Sequence, residues 1–390
     1  MINVCCGIKS TGRICTDIAT ELIDRGHEVK IAYARGIVPA EYQHLAVKIG
    51  SSFDVYRQVL KARIFDNEGF GNINATKGFV EWVKSYKPDI IHLHNIHGYY
   101  INCEVLFSFI KAYKKKVIWT LHDCWSFTGH CTYYDFIACN KWINGCSVCP
   151  QKSTYPSSYF FDNSQLNYLK KKKLFTGIED LTIVTPSKWL AKNVSQSFLK
   201  DYKITVIPNG INTNLFKPNI NNIKEKLGIL NKVMLLGVAS IWDQRKGLKV
   251  FLELAKKLDD NYAIVIIGLS KRQIDALPKR IYGVEFTNGI QELAEYYSAA
   301  DYFINPTFED NYPTTNLEAI SCGTPVISFN TGGSVESALL YGYVTKEKTA
   351  ESIYEILIKK ELPNCKIDRK ILDVKTFVSR YMKLYDRTLV

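Results

Sequence analysis

Phe308-Glu309-Asp310-Asn311-Tyr312-Pro313-Thr314-Thr315-Asn316-Leu317-Glu318-Ala319-Ile320-Ser321-Cys322-Gly323-Thr324-Pro325-Val326-Ile327 follows the apolar run Asp301 to Asn305 and opens a helical pattern near Thr314. It closes on a second apolar run, Pro325 to Phe329. Strand, turn, helix and strand in this order make a βαβ unit, which pairs its strands in parallel. Upstream, the runs Val233 to Ala239, Tyr262 to Ile267 and Val284 to Thr287 alternate with the helical stretches Leu248 to Leu258 and Glu292 to Ala299. The pattern predicts one doubly wound parallel sheet.

The same alternation occupies the first half. Val29 to Ala34, Ile90 to Leu93, Val117 to Leu121, Thr182 to Thr185 and Thr205 to Ile207 read as strands, and Thr16 to Arg25 as a helix stopped by Gly26. Pro208-Asn209-Gly210 is a turn, and polar Lys217 to Lys226 separates the halves. We therefore expect an α/β protein with two Rossmann-like domains, residues 1–215 and 216–373. A last helix at 374–390, with Phe377, Tyr381, Leu384 and Tyr385 at helical spacing, is expected to pack back on the first. Such sheets place ligands at the carboxyl ends of their strands, so a shared substrate is expected in an interdomain cleft.

Composition excludes several classes. No stretch approaches eighteen uncharged apolar residues, and no basic segment followed by an apolar run opens the sequence, so the expectation is a cytoplasmic protein without a membrane span. The formal charge is +12, and residues 1–215 hold 26 Lys/Arg against 17 Asp/Glu, nine of that excess. Lys114-Lys115-Lys116 and Lys170 to Lys173 are the densest runs. They read either as solvated helix faces or as a surface drawn to anionic lipid or phosphate. No helix-turn-helix, zinc-finger or RNA-binding signature supports a nucleic-acid partner. No Gly-x-Gly-x-x-Gly follows a strand, which argues against a nicotinamide dehydrogenase.

In the opening stretch, backbone amides and the positive end of the helix at Thr314 would face an anionic group. Asp310 and Glu318 flank that turn and would accept hydrogen bonds from sugar or ribose hydroxyls. The local alternatives are a helix N-cap for Asp310 and an ordinary surface carboxylate for Glu318.

This stretch resembles the acidic signature of glycosyltransferase family 4, in which an acidic residue and a Glu eight positions later precede an Ala and a Gly-Thr-Pro-Val. The resemblance runs through Ser10-Thr11-Gly12-Arg13, His92-Leu93-His94-Asn95, His122-Asp123-Cys124-Trp125, Pro186-Ser187-Lys188-Trp189-Leu190, Pro208-Asn209-Gly210-Ile211, Arg245-Lys246-Gly247 and Thr331-Gly332-Gly333. Within the family it is most similar to enzymes assembling colanic acid, capsule and O-antigen polysaccharides.

The resemblance implies a GT-B fold and a retaining transfer of a hexose or deoxyhexose from a nucleotide sugar, a UDP- or GDP-sugar first. The implied acceptor is a growing saccharide on a polyprenyl diphosphate, with the enzyme peripheral on the inner membrane face. Glu318 would bind the ribose hydroxyls, and Asp310 with the amides of Asn311, Tyr312, Pro313-Thr314 and Thr315 would hold the transferred sugar. Lys246 matches a diphosphate-binding lysine. Two positions depart from the family: Asp310 stands where Glu is usual, and Ser240 where many members carry Arg, so Arg245 is the candidate replacement charge.

Gly12 is read as a turn glycine that would let the donor approach the backbone. His122 matches a sugar-contacting histidine, Asp123 is its expected neighbour, and His94, Asn95 and His97 are expected on the acceptor side. No catalytic metal is implied. Transfer would proceed on one face of the sugar, the departing diphosphate helping to deprotonate the acceptor hydroxyl.

Cys131, Cys139, Cys146 and Cys149 fall within nineteen residues, and Cys146-Ser147-Val148-Cys149 is a metal half-site. Structural zinc leads here, with packed thiols and disulfides as the other readings. Two rival functions keep the same architecture: a nucleotide-sugar epimerase, and a non-catalytic subunit that binds nucleotide sugar.

Overall fold

The computed structural model of the chain describes residues 1–359, 363 and 366–386. The chain divides into two units, Met1–Pro208 together with the chain from Val378 onward, and Asn209–Phe377.

Twelve strands are introduced here in chain order: β1 (Ile31–Tyr33), β2 (Ala46–Lys48), β3 (Ile90–Leu93), β4 (Lys116–Thr120), β5 (Leu181–Thr185), β6 (Lys203–Val206), β7 (Val233–Val238), β8 (Tyr262–Ile267), β9 (Ile281–Val284), β10 (Tyr302–Asn305), β11 (Val326–Ser328) and β12 (Gly342–Val344). In the second unit they lie in the order β12-β11-β10-β7-β8-β9, every pair parallel. Counted within the unit this is 3-2-1-4-5-6, the doubly wound order, with its reversal between β7 and β10. Successive residues of a strand serve opposite faces: Met234, Leu236, Val265 and Phe303 enter one core cluster, while Leu235, Ile264, Ile266 and Ile304 enter the other. Burial of both faces explains why these strands read as unbroken apolar runs.

The first unit repeats the scheme. β3-β4-β5-β6 are parallel neighbours, β1 pairs with β2, and Ile2 bridges Ala32 on one side and Leu93 on the other. The first chain segment is thus the central position of the sheet, and the order again reverses beside it. The helices are α1 (Lys9–Asp24), α2 (Ser52–Phe65), α3 (Ile73–Tyr86), α4 (Cys103–Tyr113), α5 (Ser164–Phe175) and α6 (Lys188–Gln196). α2 starts with a capping box between Ser51 and Asp54, and α6 with the Ser187 hydroxyl accepting from Leu190 N–H.

The helix Val374–Asp386 supplies the first unit with Val378, Tyr381, Met382, Leu384 and Tyr385, all buried. The Tyr385 hydroxyl is 2.7 Å from His92 Nδ1, and the Tyr381 hydroxyl is 2.9 Å from Thr120 Oγ1. The expected extension of this helix through residues 387–390 lies outside the described residues. Among the described residues, no helix is long and apolar enough to cross a membrane.

Several expectations shift. The first helix begins at Lys9 rather than Thr16, which puts Gly12 inside α1 instead of in the turn before it. The expected strand Val284 to Thr287 is β9, three residues earlier, because Ile281 and Tyr282 carry it despite Gly283. The three-residue strands β2 and β12 were not anticipated from their mixed sequences, Ala-Val-Lys and Gly-Tyr-Val.

Candidate functional site

In the second unit, the loops leaving β7 and β10 meet at the point where strand order reverses. Phe308 N–H donates to Arg245 O (2.8 Å), and Arg245 Nη1 donates to Glu309 O (3.0 Å). Gly247 lets them close: its φ is +78°, and a Cβ there would stand 2.2 Å from Pro306 O. Lys246 then reaches Asp310, Nζ to Oδ2 at 2.5 Å, with the two side chains 23% and 12% exposed. A part-buried ion pair loses less of its attraction to water than an exposed one, and this pair presents its ammonium at the mouth of the sheet.

Asp310 is not the cap of the helix that follows. Its Oδ1 accepts from Asn311 N–H (2.9 Å), whereas Pro313 is the N-cap of Thr314–Ser321 and makes no side-chain cap bond. The first turn of that helix, at Thr314 and Thr315, carries the positive end of its dipole. Tyr312 is buried, and its carbonyl accepts from Asn209 Nδ2 (3.1 Å), which fixes the entry to Pro313. Glu318 is buried, not a surface carboxylate, and its Oε2 accepts from the Tyr297 hydroxyl at 3.0 Å. Arg245 serves as a brace on the Glu309 carbonyl, and Glu309 itself is buried.

The first unit gathers imidazoles at the corresponding strand ends. His94 Nδ1 lies 3.0 Å from His122 Nε2, with the two rings stacked, and the His92 ring lies tilted against His94 at 4.1 Å between centroids. Burial holds His92 and His94 well below the ordinary histidine range, and it brings His122 down to about 4. His97 Nε2 pairs with Asp123 Oδ2 at 2.7 Å. Burial works against the Asp123 carboxylate, yet His97 and the Trp125 N–H hold it below the usual range. Asn95 is placed by its N–H donating to Asn3 Oδ1 (3.2 Å). His94, Asn95, His97, His122 and Asp123 share the wall of one small cavity.

Gly12 lies inside α1 rather than in a turn. It is buried, and a Cβ there would meet Cys5 Sγ at 3.1 Å and Cys5 O at 3.3 Å, so the helix packs closely on the segment before it.

The four-sulfur zinc site is not assembled. Among the described residues, no group of three or more His, Cys, Asp or Glu side chains is arranged to hold a metal ion, and the ten described cysteines are free thiols. Cys131 and Cys149 hydrogen-bond to each other, which pushes the Cys149 thiol down and the Cys131 thiol up, and Cys146 Sγ accepts from Gly129 N–H at 3.1 Å. Three of the four sulfurs are thus engaged by one another or by backbone.

The lysine runs also resolve. Lys171 is buried, donating to Trp125 O (2.8 Å) and Thr128 O (3.1 Å), and burial lowers it to about 8. Lys114 and Lys115 meet Glu179 and Asp89.

Three residues that sequence reasoning passed over complete these sites. Tyr297 holds Glu318. Asn316, fully buried, accepts from Asn305 Nδ2 (2.8 Å) and donates to Ser337 Oγ (2.9 Å). Glu68 accepts both Gly98 N–H (2.6 Å) and Tyr99 N–H (2.8 Å) on Oε1 and so fixes the turn behind His97. A polar residue between apolar helix positions, such as Asn316 beside Leu317, was the available signal.

Residues 11–215 match the model of Glycosyltransferase Family 4, and residues 232–359 that of Glycosyl transferases group 1. The chain is 25% identical over 283 residues to the "Putative colanic acid biosynthesis glycosyl transferase WcaC" of Escherichia coli (strain K12), covering 70% of this chain and 67% of the relative. It is 28% identical to the "N,N'-diacetylbacillosaminyl-diphospho-undecaprenol alpha-1,3-N-acetylgalactosaminyltransferase" of Campylobacter jejuni, covering 49% of this chain and 56% of that relative. Among solved structures, the sucrose-phosphate synthase of Thermosynechococcus elongatus superposes with a TM-score of 0.70 at 15% identity, over 100% of this chain and 98% of the other. Anabaena Alr3699/HepE in complex with UDP gives 0.66, also at 15% identity, over 99% and 98%.

Proposed function

Because this chain belongs to glycosyltransferase family 4 and has the GT-B fold, we propose that it moves a hexose or deoxyhexose from a UDP- or GDP-sugar, with retention, to a growing saccharide carried on a polyprenyl diphosphate. The observation that carries this reading is the Lys246–Asp310 pair beside the uncapped start of the helix Thr314–Ser321, at the strand-order reversal of the second unit. One cation and a set of amides at a helix N-terminus suit a diphosphate. Glu318, with Tyr297 behind it, is assigned to the ribose hydroxyls, and Asp310 with the backbone of Asn311 to Thr315 to the transferred sugar. As the glycosidic bond breaks, negative charge grows on the departing phosphate, and Lys246 stabilises it.

The first unit is assigned the acceptor. His122 and His94 stay neutral at physiological pH and exchange hydrogen bonds with uncharged hydroxyls, while Asp123 orients with His97. The names of the relatives support this assignment: one is described as acting on a diphospho-undecaprenol substrate and another as a colanic acid enzyme. On this reading the protein works at the cytoplasmic face of a membrane, extending a capsule, exopolysaccharide or O-antigen repeat.

Thermal-shift titration with UDP, GDP, dTDP and ADP sugars tests the donor. Stabilisation by a UDP- or GDP-sugar is expected, and it should disappear in Lys246→Ala. NMR assignment of an inverted product anomer would refute retention, and consumption of the donor without any acceptor would replace transfer by epimerisation or hydrolysis.

A further inference from the structure

α2 carries two apolar stripes. Val55, Gln58 and Ala62 face the core, whereas Phe53, Tyr56, Leu60 and Ile64 recur at i, i+3, i+7 and i+11. At 100° per residue this second stripe points roughly opposite to the first, directly into solvent. Its members are 70%, 62%, 43% and 38% exposed. The chain adds to it from a distant segment. Tyr159 N–H donates to Arg63 O (2.8 Å), Phe161 N–H donates to Ile64 O (3.1 Å), and Phe161 stacks on Phe65 at 5.7 Å. That contact holds Tyr159, Phe160 and Phe161 at the end of the helix, all of them exposed.

The charges on the flanks of the stripe are mainly positive. On the helix wheel Arg57 and Lys61 flank it on one side and Arg63 on the other, each exposed. The nearby acids are engaged locally: Asp54 closes the capping box with Ser51 and lies 3.5 Å from Arg57, and Asp162 accepts from Cys149 N–H and Ser164 N–H. The lysine runs that drew attention in the sequence contribute less, since Lys171 is buried and Lys114 and Lys115 sit beside acids of their own.

We propose that the outer stripe of α2 and the Tyr159 to Phe161 segment form a docking face for an anionic lipid bilayer. Aromatic and branched side chains immerse at the level of the headgroups, and the cations on both flanks meet the negative leaflet. A mainly positive flank favours this partner over a second copy of the chain, whose identical face would bring cations together. The proposal gains its purpose from the reading of a membrane-carried acceptor, but vesicle binding is measured without sugar transfer, so each can fail alone.

The test is co-sedimentation of the full chain with vesicles of phosphatidylcholine alone, or with about 30 mol % phosphatidylglycerol added. Binding to the anionic vesicles that weakens with salt is expected, with little binding to the neutral ones. Phe53→Ser combined with Leu60→Ser should lower the partition coefficient about tenfold or more. Arg57→Glu and Lys61→Glu should each lower it roughly fivefold or more. These side chains are exposed, and an unchanged circular dichroism spectrum and melting temperature verify folding. Lys172→Glu with Lys173→Glu serves as a control and should bind nearly as the parent. Undiminished binding by the α2 variants, or an equal loss in the control, overturns the proposal. So does a parent dimer in light scattering that Phe53→Ser with Leu60→Ser converts to monomer.

Discussion

The two sheets share a strand order and end in opposite electrostatics. At the strand ends of the second unit stands a primary ammonium against a carboxylate, Lys246 and Asp310, beside an uncapped helix start. At those of the first unit stand imidazoles that burial keeps neutral, with the hydrogen-bonded pair His97–Asp123 at their edge. Topology fixes where a ligand sits, whereas the loop residues decide whether the place suits an anion or a neutral polyol.

The comparison breaks first at Lys246. Lys246→Ala should reduce the transfer rate roughly 100-fold or more, as loss of a donor aimed at developing charge does, while leaving the fold intact. Parent-like rates with a donor chosen by thermal shift would remove the second site from the chemistry.

The imidazoles sharpen the contrast through pH. His122 stays unprotonated in the folded chain down to about pH 4, and His92 and His94 are also held below the ordinary range, whereas an unfolded histidine titrates near 6.5. Between those values the unfolded chain binds protons that the folded chain does not. Stability should therefore be complete above about pH 6.5, decline as pH falls below it, and go on declining through about pH 4. Denaturant melts of the parent and of His94→Gln across pH 4 to 7 measure this, and the variant should show the shallower decline.

Gly247→Ala probes the meeting of two loops that builds the second site. The methyl would need φ +78° and space already taken by Pro306 O. A loss of about 2 kcal/mol is expected in urea melts, with nucleotide binding lost in parallel. The smallest effect belongs to Glu68→Gln in the first unit. It weakens the clamp on Gly98 and Tyr99 by about 1 kcal/mol, so those two amides should exchange with deuterium roughly fivefold faster than in the parent.

Much of this is legible in the sequence. Ile90–Leu93 and Tyr262–Ile267 were bounded to the residue, and the helix start at Thr314 was correct, because unbroken β-branched runs and a turn before a helix are local signals. Glu318 was picked out by its spacing, yet its burial was not, since that depends on Tyr297, twenty-one residues away. Gly12 was misplaced for a related reason. α1 starts with Lys9 in a left-handed conformation (φ +57°) and no side-chain cap, so no stop-and-start signal marks its first turn. The four cysteines have the spacing of metal ligands, and spacing alone cannot reveal that Gly129 N–H and neighbouring thiols engage three of the sulfurs. The outer stripe of α2 escaped notice because an apolar residue on either side of a helix looks the same in a list.

The helix Val374–Asp386 has a consequence for biosynthesis. Its Tyr385 closes on His92, 293 positions earlier, and Tyr381 closes on Thr120. At about 5 to 20 residues per second, a nascent chain waits roughly 15 to 60 s between making His92 and making its partner. In that interval the residues of the second unit, Asn209–Phe377, are all synthesised, while His92 and Thr120 still lack their tyrosine partners. The ribosome thus completes the later unit before the earlier one, and a message cut short before Tyr381 would yield a chain whose first sheet is never sealed.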